Sequence, residues 1–266
     1  MRALTSRAEP LALLAITAIG LVIFLAPIFV GRALPENAAL FAALIACTAL
    51  IVVAVALQTH RLSTRLLVVL AALVAIDATL RLVIVIGLLG FSPIFFLMIV
   101  GGLVMGPGFG FALGALTLLL SAVLTAGLGP WLPYQMLACA WVGMGAGFLG
   151  RWSFARQHLV VVALYALVAG FVYGALLDLW EWPFLLGTGS PISWASGISL
   201  LSLSRRFAAF YLTTSLVYDA FRAAGNVLLT LLLGAPVVTA LERFRRRFLV
   251  EWEASPNIAG DVRAPA

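Results

Sequence analysis

Five polar side chains keep a common register near the C-terminal end of this sequence. Tyr211, Ser215, Asp219, Arg222 and Asn226 follow one another at intervals of four, four, three and four residues. On an α-helix that spacing places all five on one face. Upstream, Asp77 and Arg81 stand one helical turn apart. Both sets lie inside long apolar runs, and ionisable groups at membrane depth are costly, so they face a protein interior or a watered cavity. Two readings follow: the acids and arginines neutralise one another across helices, or they line a polar cavity that binds a ligand. Acid–base catalysis fits less well, because each carboxylate has an arginine within a turn, and His60 and His158 fall in or beside loops.

Composition identifies the solvent these groups must be understood in. Of the 266 residues, 64% are hydrophobic and 10% charged, whereas an average soluble domain is about a quarter charged. Mean hydropathy is +1.16. Apolar runs of helical length recur from Leu11 to Leu241, the pattern of an all-α, polytopic membrane bundle. All 16 basic residues are arginines, and no soluble domain carries them as a face for nucleic acid. Cys47 and Cys139 sit within apolar runs without metal-ligand spacing or a disulfide framework. No HExxH, GxSxG, CxxC or Walker A pattern occurs. The reading therefore assigns no catalytic residue, metal or cofactor, and leaves any ATP-driven work to a separate protein.

Six spans are clear: 11–30, 38–57, 66–90, 131–149, 159–179 and 207–241. The stretch 91–127 is too long for one span, and its "GPGFG" predicts a break into Pro93–Met105 and Gly108–Ala126. With eight spans and an internal N-terminus, Arg2, Arg7, Arg61, Arg65, Arg151, Arg156, Arg243, Arg245, Arg246, Arg247 and Arg263 are inside, against Arg32, Arg205 and Arg206 outside. Seven spans would destroy that bias. The positive-inside rule thus selects about eight helices with both termini cytoplasmic, in the cell membrane. Residues 1–57 form two accessory helices, 58–247 a six-helix core, and 248–266 a cytoplasmic tail expected to be disordered. Trp180–Arg206 reads as a long external loop suited to a lid.

In this arrangement several groups reach one level in the outer half of the membrane. Arg81 lies toward the outer end of its span, and Asp219 precedes the middle of its own. The block "GPWLPYQM" starts a helix on the outside with Trp131, Tyr134 and Gln135, while Asp178, Trp180 and Glu181 close another. Aromatic walls with a few placed polar groups suit an outward-opening pocket; an interfacial aromatic belt is the competing account of Trp180 and Trp182. Gly102, Gly106, Gly110 and Gly114, with Gly143 and Gly147, repeat small residues at every fourth position, the spacing of closely packed membrane helices. Ala71 and Ala75 share that spacing on the third span.

The stretch from "GGLVMGPGFG" through "GPWLPYQM" to "GAGFLGR", followed by "YGALLDLWEWPF" and "RRFAAFYLTTSLVYDAFRAAGN", resembles the substrate-specific S components of energy-coupling factor (ECF) transporters. The likeness runs from about Leu66 to Arg247 and is strongest to the actinobacterial type with two extra N-terminal helices, regarded as cobalamin carriers. It implies a six-helix membrane core that captures a vitamin outside and works with a membrane coupling (T) subunit and two cytoplasmic ATPases. It also implies that Ala71 and Ala75, at the family's small-xxx-small position, contact the coupling subunit. The residues named above become the substrate-binding set: Arg81, Trp131, Tyr134, Gln135, Asp178, Trp180, Tyr211, Ser215, Asp219, Arg222 and Asn226. The near balance of acids and arginines favours an amide-rich corrinoid over a carboxylate vitamin. Another small vitamin, or an intramembrane enzyme acting on a lipid or prenyl substrate, is the alternative.

Overall fold

A chain in lipid must satisfy its backbone N–H and C=O groups internally, and the apolar runs accordingly wind into helices. The structure, a computed structural model, describes residues 2–30, 47–51, 54–56, 58, 62–84, 94–185 and 189–249, and among these there is no strand. The helices are α1 (Arg2–Val30), α2 (Thr64–Ile84), α3 (Phe95–Met105), α4 (Pro107–Leu124), α5 (Leu132–Leu149), α6 (Ser153–Gln157), α7 (Leu159–Leu185), α8 (Leu200–Thr214) and α9 (Leu216–Leu249). Five of them, α1, α4, α5, α7 and α9, are long and apolar enough to cross a membrane by length and composition. The 21-residue α2 carries Arg65, Asp77 and Arg81, and α3 has 11 residues. Of the second expected span, only the short helical stretch around Cys47–Ala56 falls among the described residues. Of the tail expected from residue 248, residues 250–266 lie outside them. The molecule is an all-α polytopic bundle. Its long helices turn apolar side chains outward, among them Leu14, Val22, Val168 and Leu232, as a lipid solvent allows.

The break at "GPGFG" is where the glycines and proline place it. Gly106 closes α3 at φ 105°, a left-handed conformation natural to glycine, and Pro107 opens α4 at a position where its missing N–H costs nothing. Beyond the hairpin, α4 lies backbone to backbone on α5. A Cβ at Gly110 would overlap the Gly143 carbonyl, one at Gly143 the Gly110 carbonyl, and one at Gly114 the Cys139 carbonyl. Gly106 apart, the four-residue glycine repeats are thus internal packing surfaces.

Two elements depart from expectation. The helix expected to end near Leu179 continues to Leu185, so Trp180, Glu181 and Trp182 are helical and the connection that follows is shorter than expected. Burial holds that extra turn in place despite Pro183: the Trp182 indole donates to the Ile192 carbonyl at 2.9 Å and packs with Trp194 and Phe210. The last span is two helices, α8 and α9, interrupted at Ser215. α9 then runs to Leu249, beyond the apolar limit at Leu241 and past the expected start of the tail at residue 248. Its 34 residues span about 51 Å at ~1.5 Å per residue, well over the ~30 Å of a hydrocarbon core. The arginine-rich end therefore projects beyond the membrane as helix.

Candidate functional site

The C-terminal stripe converges on Asp219, which sits in the first turn of α9 and is 1% exposed. Its carboxylate accepts a hydrogen bond from the Tyr211 hydroxyl at 2.8 Å and forms an ion pair with the Arg222 guanidinium one turn on. On α7, Gly174 lies directly under this carboxylate, and any Cβ there would overlap it. Glycine at 174 is what lets an acid be buried between α7 and α9. Ser215, at the helix break, lies beside Asp178 near the end of α7. The Arg222 guanidinium stands 5.0 Å over the Tyr173 ring, which in turn meets Phe95 edge-on at 4.9 Å.

The second set extends the cluster across α2, α4 and α5. Asp77 and Arg81 do not form an ion pair with each other. Arg81 donates to the Ser121 hydroxyl at 3.1 Å, while the buried Asp77 faces Thr117, one turn before Ser121 on α4. Asp77 Oδ2 and Thr117 Oγ1 are both buried with no hydrogen-bond partner. Cys139 from α5 faces the Tyr173 hydroxyl and lies within electrostatic reach of Arg81, Asp77 and Arg222. Two arginines, two acids, hydroxyls and a thiol thus come together from six helices, α2, α4, α5, α7, α8 and α9. Asp178 and the half-buried Glu181 extend the cluster along α7.

Other expected members are placed differently. Asn226 caps α3: its Oδ1 accepts from the Phe95 N–H at 2.9 Å and its Nδ2 donates to the Arg222 carbonyl at 2.8 Å. The N-terminus of α3 has no side-chain cap from Ile94, so Asn226 supplies one from across the bundle. Asn226→Ala should cost about 1–2 kcal/mol, read as a lowered thermal midpoint in detergent; an unchanged midpoint would show that the cap does not matter. Tyr134 is fully buried and stacked on Trp180, ring centroids 4.1 Å apart and 4° from parallel. With Trp182 buried as well, an interfacial belt does not describe either tryptophan. Trp131 is the N-cap of α5, 44% exposed, and covers Gly129. Gln135 is half-buried one turn into α5.

Ala71 and Ala75 are exposed on the outer face of α2, where the Thr79 hydroxyl bonds back to the Ala75 carbonyl at 2.8 Å. Beside them an apolar groove runs between Leu67, Leu70, Ala71 and Val74 of α2 and Leu116, Leu119, Leu120 and Val123 of α4.

Sequence reasoning did not single out Thr117, Ser121, Cys139, Tyr173 or Gly174. The first two had a usable signal: they repeat the four-residue spacing of Asp77 and Arg81 within an apolar run. Cys139 looked like a small apolar filler, and nothing local marks Gly174 as the seat of a distant carboxylate. Neither a curated protein nor a solved structure matches this chain. A family model does, that of the ECF transporter substrate-specific component, over residues 65–234. That region carries the whole cluster from Asp77 to Arg222 and more than half of the chain. This multi-pass membrane protein belongs to the substrate-specific components of ECF transporters.

Proposed function

We propose that the chain captures a corrinoid, cobalamin or a close relative, in the outer half of the membrane. It passes the ligand inward with a membrane coupling subunit and two cytoplasmic ATPases, its own termini lying in the cytoplasm. The observation that carries this reading is that one family region, 65–234, encloses a charged and aromatic cluster drawn from six helices of an otherwise apolar bundle. The balance of charge supports the ligand class. Arg81 and Arg222 are matched in number by Asp77 and Asp219, with Asp178 nearby, so no excess of cations awaits a carboxylate vitamin. A ligand rich in neutral amides asks instead for hydroxyl, carboxylate and guanidinium partners in a mostly apolar wall.

The purified protein, incubated with cyanocobalamin and then desalted, should retain the red absorption of the corrinoid; a colourless preparation would overturn the substrate assignment. The exposed Ala71–Ala75 face is the proposed seat of the coupling subunit. Replacing both with tryptophan should abolish uptake in cells carrying the partner proteins while leaving corrinoid binding by the purified chain unchanged. Normal uptake by that variant would remove the face from the mechanism.

A further inference from the structure

The N-terminal helix α1 lies outside the family region, which begins at residue 65. A helix serving only as an anchor would meet lipid all round, and α1 does not. Leu13, Ile16, Gly20, Ile23 and Phe24 form one buried stripe, while Leu11, Leu14 and Val22 face outward. The stripe docks on α5 and α7. Gly20 leaves room for the Trp141 ring, which a Cβ there would strike. One turn on, Phe24 is 0% exposed and meets Tyr134 edge-on, ring centroids 5.1 Å apart and 88° between planes. Tyr134 is the residue stacked face to face on Trp180. Cys47, buried in the second N-terminal segment, lies near the same tyrosine.

We infer that α1 is part of the binding apparatus: Phe24 is a positioning residue that holds the Tyr134–Trp180 stack as a fixed aromatic wall of the ligand site. The role of the wall rests on the proposed function; the positioning itself does not. A tyrosine with a stacked ring on one face and an aromatic edge on another has little freedom to turn. Without Phe24 the ring gains room and the stack loosens. Preorganisation of this kind shows in affinity.

The test uses the full chain in detergent, with Phe24→Ala, Phe24→Leu and Phe24→Tyr, and Leu14→Ala on the outward face as control. Two readouts are taken: affinity for cyanocobalamin, and the part of the near-ultraviolet circular dichroism that Trp180→Phe removes. Phe24→Ala and Phe24→Leu should weaken binding about three- to tenfold and reduce that dichroism, whereas Phe24→Tyr and Leu14→Ala should preserve both. Leucine fills most of the volume, so a loss with leucine that tyrosine restores separates ring positioning from simple packing. Wild-type affinity and dichroism in Phe24→Leu would overturn the inference. If the wild-type chain binds no corrinoid, the substrate assignment fails and the dichroism alone decides: the same order among variants supports positioning, and unchanged spectra overturn it.

Discussion

Gly110→Val and Gly143→Val should each leave almost no folded protein. α4 and α5 touch through their backbones, and the first atom of any side chain at either position overlaps the opposite carbonyl. No rotamer relieves an overlap that starts at Cβ, so the helices must separate along their length. In lipid, association depends on close packing and interhelical polar contacts rather than on escape from water, and a gap removes much of what holds the pair. Among the described residues the pair is also the most extensive helix contact. A penalty above about 4 kcal/mol is expected, most of the stability of a domain at the low end of the usual range of about 5–15 kcal/mol. Even alanine should be severe. Gly127→Ala is the contrast, since a Cβ there meets only the Thr125 hydroxyl at 3.0 Å and backbone no nearer than 4.0 Å. Yield of monodisperse protein and the thermal midpoint check both; a stable Gly110→Val would mean that the helices do not meet this way.

The second large effect concerns Asp219. Removing one partner from a buried ion pair strands the other, at about 3–5 kcal/mol. Asp219→Leu leaves the Arg222 guanidinium beside Tyr173 without its carboxylate and deprives the Tyr211 hydroxyl of its acceptor. Arg222→Leu strands the carboxylate over Gly174 instead. The double replacement strands neither charge, so its cost should fall well below the sum of the singles, a coupling of at least ~1 kcal/mol in a double-mutant cycle. Thermal or denaturant unfolding of the four proteins measures it. Additive effects would show that the pair does not act as a unit.

How far the sequence revealed this can be seen residue by residue. Glycine at every fourth position announces backbone contact, because only the absence of a side chain permits it, and "GPGFG" announces a break because a glycine at positive φ ends a helix and the proline after it suits the start of the next. The link from Tyr211 through Asp219 to Arg222 was legible because its contacts are local, although the break at Ser215 puts Tyr211 and Asp219 on different helices rather than on one continuous face. The pairing of Asp77 and Arg81 was not. Spacing of one turn suggests mutual neutralisation, but Arg81 bonds Ser121 on another helix, forty residues away, and Asp77 faces Thr117 there. Asn226 shows the same limit: its role as a cap for α3 depends on a contact spanning 131 residues. The extra turn of α7 was hidden by Pro183, which argues locally for an end while tertiary contacts of Trp180 and Trp182 argue for continuation.

The proposed function requires this substrate-specific component to bind a corrinoid by itself, at the cluster around Asp219 and Arg222. The most direct measurement is an equilibrium titration of the purified full chain with cyanocobalamin, followed by visible absorbance, beside Tyr211→Phe and the Asp219→Asn, Arg222→Gln double variant. Saturable binding of one corrinoid per chain is predicted for the wild type. About a tenfold weakening is predicted for Tyr211→Phe, the equivalent of one lost hydrogen bond to a charged group, and no measurable binding by a folded double variant. Wild-type binding in a folded double variant, or no saturable binding by the wild type, would contradict the account.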